Sequence, residues 1–246
     1  MTEPFEAVLE VMATARTIHR YLPDPVPEKD LGRILYAATR APSGSNSQPF
    51  RFVVLRDGER ASAAKALLAE SFRSQWSRKS SNEGWDRGSG LDRDSPKARS
   101  ARAMRQFVDG FERIPVVVLA CILRFHPPNP YEGASIYPAC QNLLLAARAL
   151  GYGACFSVWH LPVEDRLKAM LDIPEHAAIS LTITVGRPAG RHGPLRRRPV
   201  RDLVYDDAWE QSAAWVQDPS GSRFSRSGPP GARRFRPPSV AERDLK

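Results

Sequence analysis

The sequence predicts an α+β fold, a central sheet covered by helices. Helical apolar stripes, about six of them, alternate irregularly with four strand-like apolar runs. Two of those runs, around 115–123 and 179–185, are continuously apolar, as in strands buried on both faces. A doubly wound dinucleotide fold is disfavoured, because Gly151-Tyr152-Gly153 is followed by Phe156 where the fingerprint needs a third glycine.

Phe5, Val8, Leu9 and Met12 fall at helical spacing, which predicts a helix over 4–14 with one apolar face. Pro23, Pro25 and Pro27 then force extended chain, since each proline restricts the residue before it. Pro27 suits the start of a second helix, in which Leu31, Ile34, Leu35 and Ala38 form the stripe. A serine-rich turn follows, then a strand over 50–55. Ala64, Leu67, Leu68 and Phe72 are in phase for a helix over 59–75. Residues 77–100 are polar and of mixed charge, and read as an insertion, either a lid or a disordered segment. Helix returns over 101–111, and 115–123 is a strand. Ser135 is placed to cap a helix through Leu150 that Gly151 and Gly153 end. A short strand over 155–158, a helix over 163–171 and a strand over 179–185 complete the pattern, followed by a basic loop over 187–199.

The predicted organisation is one domain over 1–216 and a basic Pro/Arg/Ser-rich tail over 217–246, expected to be disordered for want of apolar periodicity. That tail holds about half of the formal charge of +9, so the domain itself need not bind nucleic acid, although its balance favours anionic cofactors. Cys121, Cys140 and Cys155 sit among apolar residues without metal or redox spacing, and the five histidines are scattered. No metal site is expected. The longest apolar run, Ile114 to Leu123, is too short to span a bilayer as a helix, and the first residues lack a signal-peptide pattern. A cytoplasmic protein without a membrane partner is the expectation.

The segment Ala41-Pro42-Ser43-Gly44-Ser45-Asn46-Ser47-Gln48-Pro49-Phe50 is the most specific motif. It offers backbone N–H groups and small hydroxyls with little bulk around them, which suits a flat, polar ligand. Arg16-Thr17-Ile18-His19-Arg20 lies upstream, Gln141-Asn142 precedes Gly151-Tyr152-Gly153, and Arg196-Arg197-Arg198-Pro199 comes near the domain's end. By residue type alone, the arginine segments read equally as solvated surface, and 153–158 as a plain core strand. Taken together and in this order, these cues resemble the FMN-dependent nitroreductase family over roughly residues 5–215.

That resemblance implies a three-layer fold, a mixed central sheet with helices on both faces, in an intertwined homodimer with flavin sites at the subunit interface. It implies FMN as cofactor, NADH or NADPH as electron donor, and nitroaromatics, quinones or similar small molecules as acceptors, in a ping-pong reaction. The flavin N5 carries the hydride, so no side chain is expected to be catalytic. Arg16 and Thr17 are implied to hold the phosphate and the pyrimidine edge, and an arginine can fork onto a phosphate. Pro42 and Ser43 are implied to contact the isoalloxazine from the partner subunit, and Asn46 either touches ligand or braces the turn. Phe156, Ser157 and Val158 are implied to pass the flavin. Arg197 best matches the family's phosphate-binding position, and Arg198 adjoins it. The chain departs from the family pattern at Ala15, where arginine is common, and at His19, where a permanent cation is usual. A histidine there would place positive charge near flavin N1 and O2 only when protonated, with an ordinary pKa of about 6.5. Two other readings are carried: a non-catalytic flavin-sequestering protein on the same fold, and a nucleic-acid binder through the basic tail with Phe224 and Phe235 as stacking residues.

Overall fold

The computed structural model describes residues 3–88, 94–191 and 193–225. It divides the chain into two units, 1–195 and 196–246.

In the first unit six helices and four strands follow one another as α1 (Pro4–Thr14), α2 (Glu28–Ala38), β1 (Phe50–Leu55), α3 (Glu59–Glu83), α4 (Pro96–Asp109), β2 (Val116–Leu123), α5 (Tyr137–Ala149), β3 (Gly153–Ser157), α6 (Glu164–Met170) and β4 (Ala177–Gly186). The sheet order is β1-β2-β4-β3. Its ladders are all antiparallel, and parallel pairing in this unit is confined to a bridge between Thr17 and Ala154, so the expected mixed character rests on that one bridge among the described residues.

β2 shows how one strand builds two cores. Its residues alternate across the pleat. Val116, Val118, Ala120 and Ile122 pack with α2 and α5 on one face, whereas Val117, Leu119 and Cys121 pack with α3, α4 and α6 on the other. β4 does the same, but its parity changes at a bulge. Ala120 pairs with Leu181 and Cys121 with Ile179, so Ser180 is the extra residue. Ile179 therefore faces the α3 side, while Leu181 and Ile183 face the α2–α5 side. The result is the expected three layers.

Lys65 of α3 is buried and donates to the carbonyls of Arg56, Ile114 and Pro115 at 2.7, 2.9 and 3.2 Å. It ties the helix to the end of β1 and the approach to β2.

Three expectations need correction. α3 runs on to Glu83 rather than stopping near 75, and α4 begins at Pro96 rather than 101. Residues 77–83 and 96–100 of the supposed insertion are therefore helix, and 89–93 lie outside the described residues. Its local sequence is polar because that part of the helix is largely solvated, and Gly84 caps it in the left-handed conformation. The connection's described ends are tied down: Ser80 Oγ lies 3.1 Å from Asp86 Oδ1, Trp76 and Trp85 are in ring contact at 5.9 Å, and Lys97 Nζ donates to the Glu83 carbonyl at 2.9 Å. Second, Ser135 does not cap α5. It lies in a 3₁₀ turn, Glu132–Ser135, before Ile136, and its hydroxyl is used elsewhere. Third, the apolar stripe of α1 is not buried in the protomer: Phe5, Val8 and Met12 are exposed.

In the second unit, Arg197 pairs with Phe224, with Arg197 N–H donating to Arg223 O at 3.2 Å and Ser225 N–H to Arg197 O at 2.9 Å. Residues 223–225, part of the stretch expected to be disordered, are thus held by backbone pairing. Residues 226–246 of the expected tail lie outside the described residues.

Candidate functional site

α1 ends at Thr14, and the chain turns to lie along the outer edge of β3. Ile18 N–H donates to Ala154 O at 3.1 Å, beside the Thr17–Ala154 bridge. Gly153 makes this approach possible, because a Cβ there would come within 2.6 Å of the Ile18 side chain. Further on, Leu22 N–H donates to Arg187 O at 2.8 Å and Ala189 N–H to Arg20 O at 3.0 Å, which stitches the segment to the chain after β4. Tyr21 is anchored through its hydroxyl, 2.7 Å from Ile18 O and 2.8 Å from Thr184 Oγ1.

This edge pairing brings several predicted residues together. Arg16 and Thr17 are exposed beside Ala154. Phe156, 49% exposed, lies two residues further along β3, and Val158, 44% exposed, follows directly after the strand ends. At strand spacing, Phe156 is about 7 Å from Ala154. Ser157 is half-buried, and its Oγ accepts from Trp159 N–H at 3.1 Å. Arg16 shares a shallow recess with Arg148 of α5 and with Leu144, Tyr152 and Ala154. Arg148 is held there by Thr14 Oγ1 at 2.8 Å and by Glu10 at 3.7 Å. Sequence spacing gave no sign of Arg148, since only the packing of α5 against α1 puts it beside Arg16.

His19 sits differently from expectation. Its ring packs on Phe107 of α4 at 4.8 Å between centroids, and its Nε2 lies 3.6 Å from Cys155 Sγ. Burial lowers its pKa to about 4. Burial thus favours the neutral ring. Cys155 is equally inert as a nucleophile, because burial pushes its thiol up to about 12. His160 is fully buried nearby in the sequence, with Nε2 2.7 Å from Ile179 O, and its pKa is also lowered by desolvation.

The serine-rich turn is found elsewhere. It precedes β1, at the opposite edge of the sheet from β3. Three strand spacings, about 14 Å, separate the two edges. Pro42, Ser43 and Asn46 are therefore not gathered with Arg16, Thr17 and Phe156 in one protomer. Within the turn, Ser45, Asn46 and Gln48 all have left-handed backbone, φ 49°, 52° and 47°. Each such non-glycine residue costs on the order of 1 kcal/mol or more and persists only where its surroundings impose it. Ser43 Oγ accepts from Gln48 N–H at 2.9 Å, and Asn46 N–H donates to Ser43 O at 3.0 Å. Arg51 Nη1 reaches Gln48 O at 3.0 Å, and Gly44 N–H donates to Ser135 Oγ at 3.1 Å.

Arg197 and Arg198 belong to the second unit, and both are exposed there. Among the described residues no group of His, Cys, Asp and Glu is placed to hold a metal ion, and no helix is long and apolar enough to cross a membrane.

This architecture has known counterparts. An NADH dehydrogenase of Thermus thermophilus is 32% identical over 195 residues, which cover 77% of this chain and 90% of that protein. A solved structure from Desulfovibrio desulfuricans, described as a nitroreductase in complex with FMN, aligns with a TM-score of 0.58 at 26% identity, over 85% of this chain and 99% of that one. An FMN- and NADPH-dependent nitroreductase from a Sphingopyxis strain shares the fold with a TM-score of 0.63 at 21% identity, over 82% of this chain and 99% of its own. Residues 12–187 match the nitroreductase family, and the chain belongs to that family.

Proposed function

We propose that this protein is an FMN-dependent oxidoreductase that takes electrons from NADH or NADPH and passes them to small acceptors such as nitroaromatics and quinones. The observation that carries this reading is the Arg16–Tyr21 segment laid along the edge of β3. It sets the exposed Arg16 and Thr17 beside Ala154 of β3 and two exposed apolar residues, Phe156 and Val158, further along. The residues fit the cofactor: Arg16 and Arg148 suit a single phosphate, and an apolar, flat strand end suits a planar ring. When bound, FMN supplies the hydride chemistry.

The chain's own part is positioning. Arg16 and Thr17 hold the phosphate end. Phe156 to Val158 would seat the ring, at a strand end open enough for donor and acceptor to enter in turn. The turn with Pro42, Ser43 and Asn46 is too far away in its own protomer and is assigned to the site of a second copy. The exposed Phe5, Val8 and Met12 on α1 support such a homodimer, since an apolar helix face of this kind is normally covered. The Thermus relative is named for NADH and the Sphingopyxis neighbour for NADPH, and either donor is consistent with the residues described.

The pKa of His19, lowered to about 4 by burial, favours a second reading, in which flavin is held but not turned over, because a neutral imidazole does not help the ring accept electrons. Anaerobic titration with NADH and NADPH separates the two. The enzyme reading predicts that the flavin band bleaches and returns on adding p-nitrobenzoate or benzoquinone. A flavin band that neither donor bleaches supports sequestration. Colourless protein that takes up no added FMN overturns both.

A further inference from the structure

The serine-rich turn adopts a shape that its own sequence does not favour. Ser45, Asn46 and Gln48 are all left-handed and none is glycine. Most of the hydrogen bonds that close it are local, from Asn46 N–H to Ser43 O, Ser47 N–H to Gly44 O, and Gln48 N–H to Ser43 Oγ. Arg51 of the adjoining strand reaches Gln48 O. From a distant part of the chain comes Ser135, whose Oγ accepts the Gly44 N–H at 3.1 Å.

Ser135 is in turn held. It ends the 3₁₀ turn Glu132–Ser135, and the next residue, Ile136, is buried in the core between the sheet and α5. Glu132, at the start of that turn, takes a two-pronged contact from Arg124, with Nη2 to Oε1 at 2.6 Å and Nε to Oε2 at 3.0 Å. Arg124 directly follows β2, and its own N–H donates to His176 O at 2.7 Å. Gly133 carries the Tyr137 ring so closely that a Cβ would come within 2.5 Å of it. A rigid path therefore runs from the end of β2 through Arg124, Glu132 and Ser135 to Gly44.

We propose that Ser135 is a positioning residue for the cofactor turn, fixed by the Arg124–Glu132 pair, and that it sets the turn's shape before ligand arrives. This rests on the flavin reading above, in which the turn contacts FMN. A hydroxyl acceptor aimed at one backbone N–H selects one conformation of a turn that would otherwise relax. Pre-shaping of this kind lowers the ordering cost of binding.

The test uses the full-length protein and the variants Ser135→Ala, Ser135→Thr and Glu132→Gln. Amide hydrogen exchange at Gly44 is measured in the FMN-free protein, and FMN affinity by fluorescence titration. Ser135→Ala is expected to speed exchange at Gly44 and to weaken FMN binding about threefold to tenfold, the worth of one ordinary hydrogen bond. Ser135→Thr keeps the acceptor and should restore both. Glu132→Gln should speed Gly44 exchange to a smaller degree. Unchanged exchange at Gly44 in Ser135→Ala overturns the proposal, as does faster exchange with unchanged FMN affinity. If the wild type binds no FMN, the flavin reading fails, and the positioning role in cofactor binding fails with it. The exchange measurement then still reports whether the brace itself exists.

Discussion

His19 shows how much a single side chain's role depends on contacts that its neighbours in sequence do not reveal. Its pKa of about 4 comes from burial among Phe107 and Cys155. In the unfolded chain it titrates near 6.5. The folded form prefers the neutral ring, so the unfolded chain binds more protons between pH 4 and 6.5. Stability therefore rises with pH across that window and is lost as pH falls through it, by an amount on the order of 2–3 kcal/mol. His160, lowered in the same direction, adds to the trend. Urea midpoints of His19→Gln should show a flatter pH dependence from pH 4 to 6.5 than those of the wild type; parallel curves would place His19 in solvent. Over pH 5.5–8.5 the flavin potential should carry no extra slope from His19, whereas a histidine that charges near the flavin would add one. At Arg16 the account predicts a different signature. Arg16→Ala should weaken FMN binding by about tenfold to a hundredfold, as for loss of a charged hydrogen bond to phosphate, with little change in melting temperature, because the side chain is exposed.

At the scale of elements, the parts legible in the sequence were those whose signals are local. The stripe of α2, the turn at 41–50 and the apolar run of β2 are each written in adjacent residues, and the structure places them accordingly. The continuation of α3 past Phe72 was hidden because its last turns carry Arg78, Lys79, Ser81 and Asn82, which give no apolar phase on a solvated helix. Ser135 looked like a helix cap because its true partner, Gly44, lies far away in sequence. Arg148 was missed for the same reason. Long-range packing also explains Lys65, an unremarked lysine in sequence that holds three carbonyls in the structure. Lys65→Met should cost about 1–3 kcal/mol, since three backbone acceptors lose a charged donor. Chemical denaturation checks this, and a cost below about 0.5 kcal/mol would mean that water replaces the ammonium. The joint between the first segment and β3 can be probed in the same way. Gly153→Ala forces a methyl against Ile18 and should destabilise the protein by about 1–3 kcal/mol while weakening FMN binding.

On the scale of the whole molecule, the sheet itself keeps the two halves of the proposed site apart. The Arg16 segment lies on β3 and the serine-rich turn precedes β1, with β2 and β4 between them. In the proposed reading, the turn reaches FMN from a second chain. Sedimentation at micromolar concentration should show a dimer, and removing residues 226–246 should leave dimer and flavin intact. The most direct measurement is a mixing experiment with two variants, Arg16→Glu and Gly44→Trp, each expected to lose FMN as a homodimer. In a heterodimer of the two, one site carries both defects and the other carries neither. The account predicts that purified heterodimer regains FMN at half the wild-type content. If each site were built within one protomer, both sites of the heterodimer would be defective. Heterodimer that stays colourless while wild-type dimer is yellow would contradict the account.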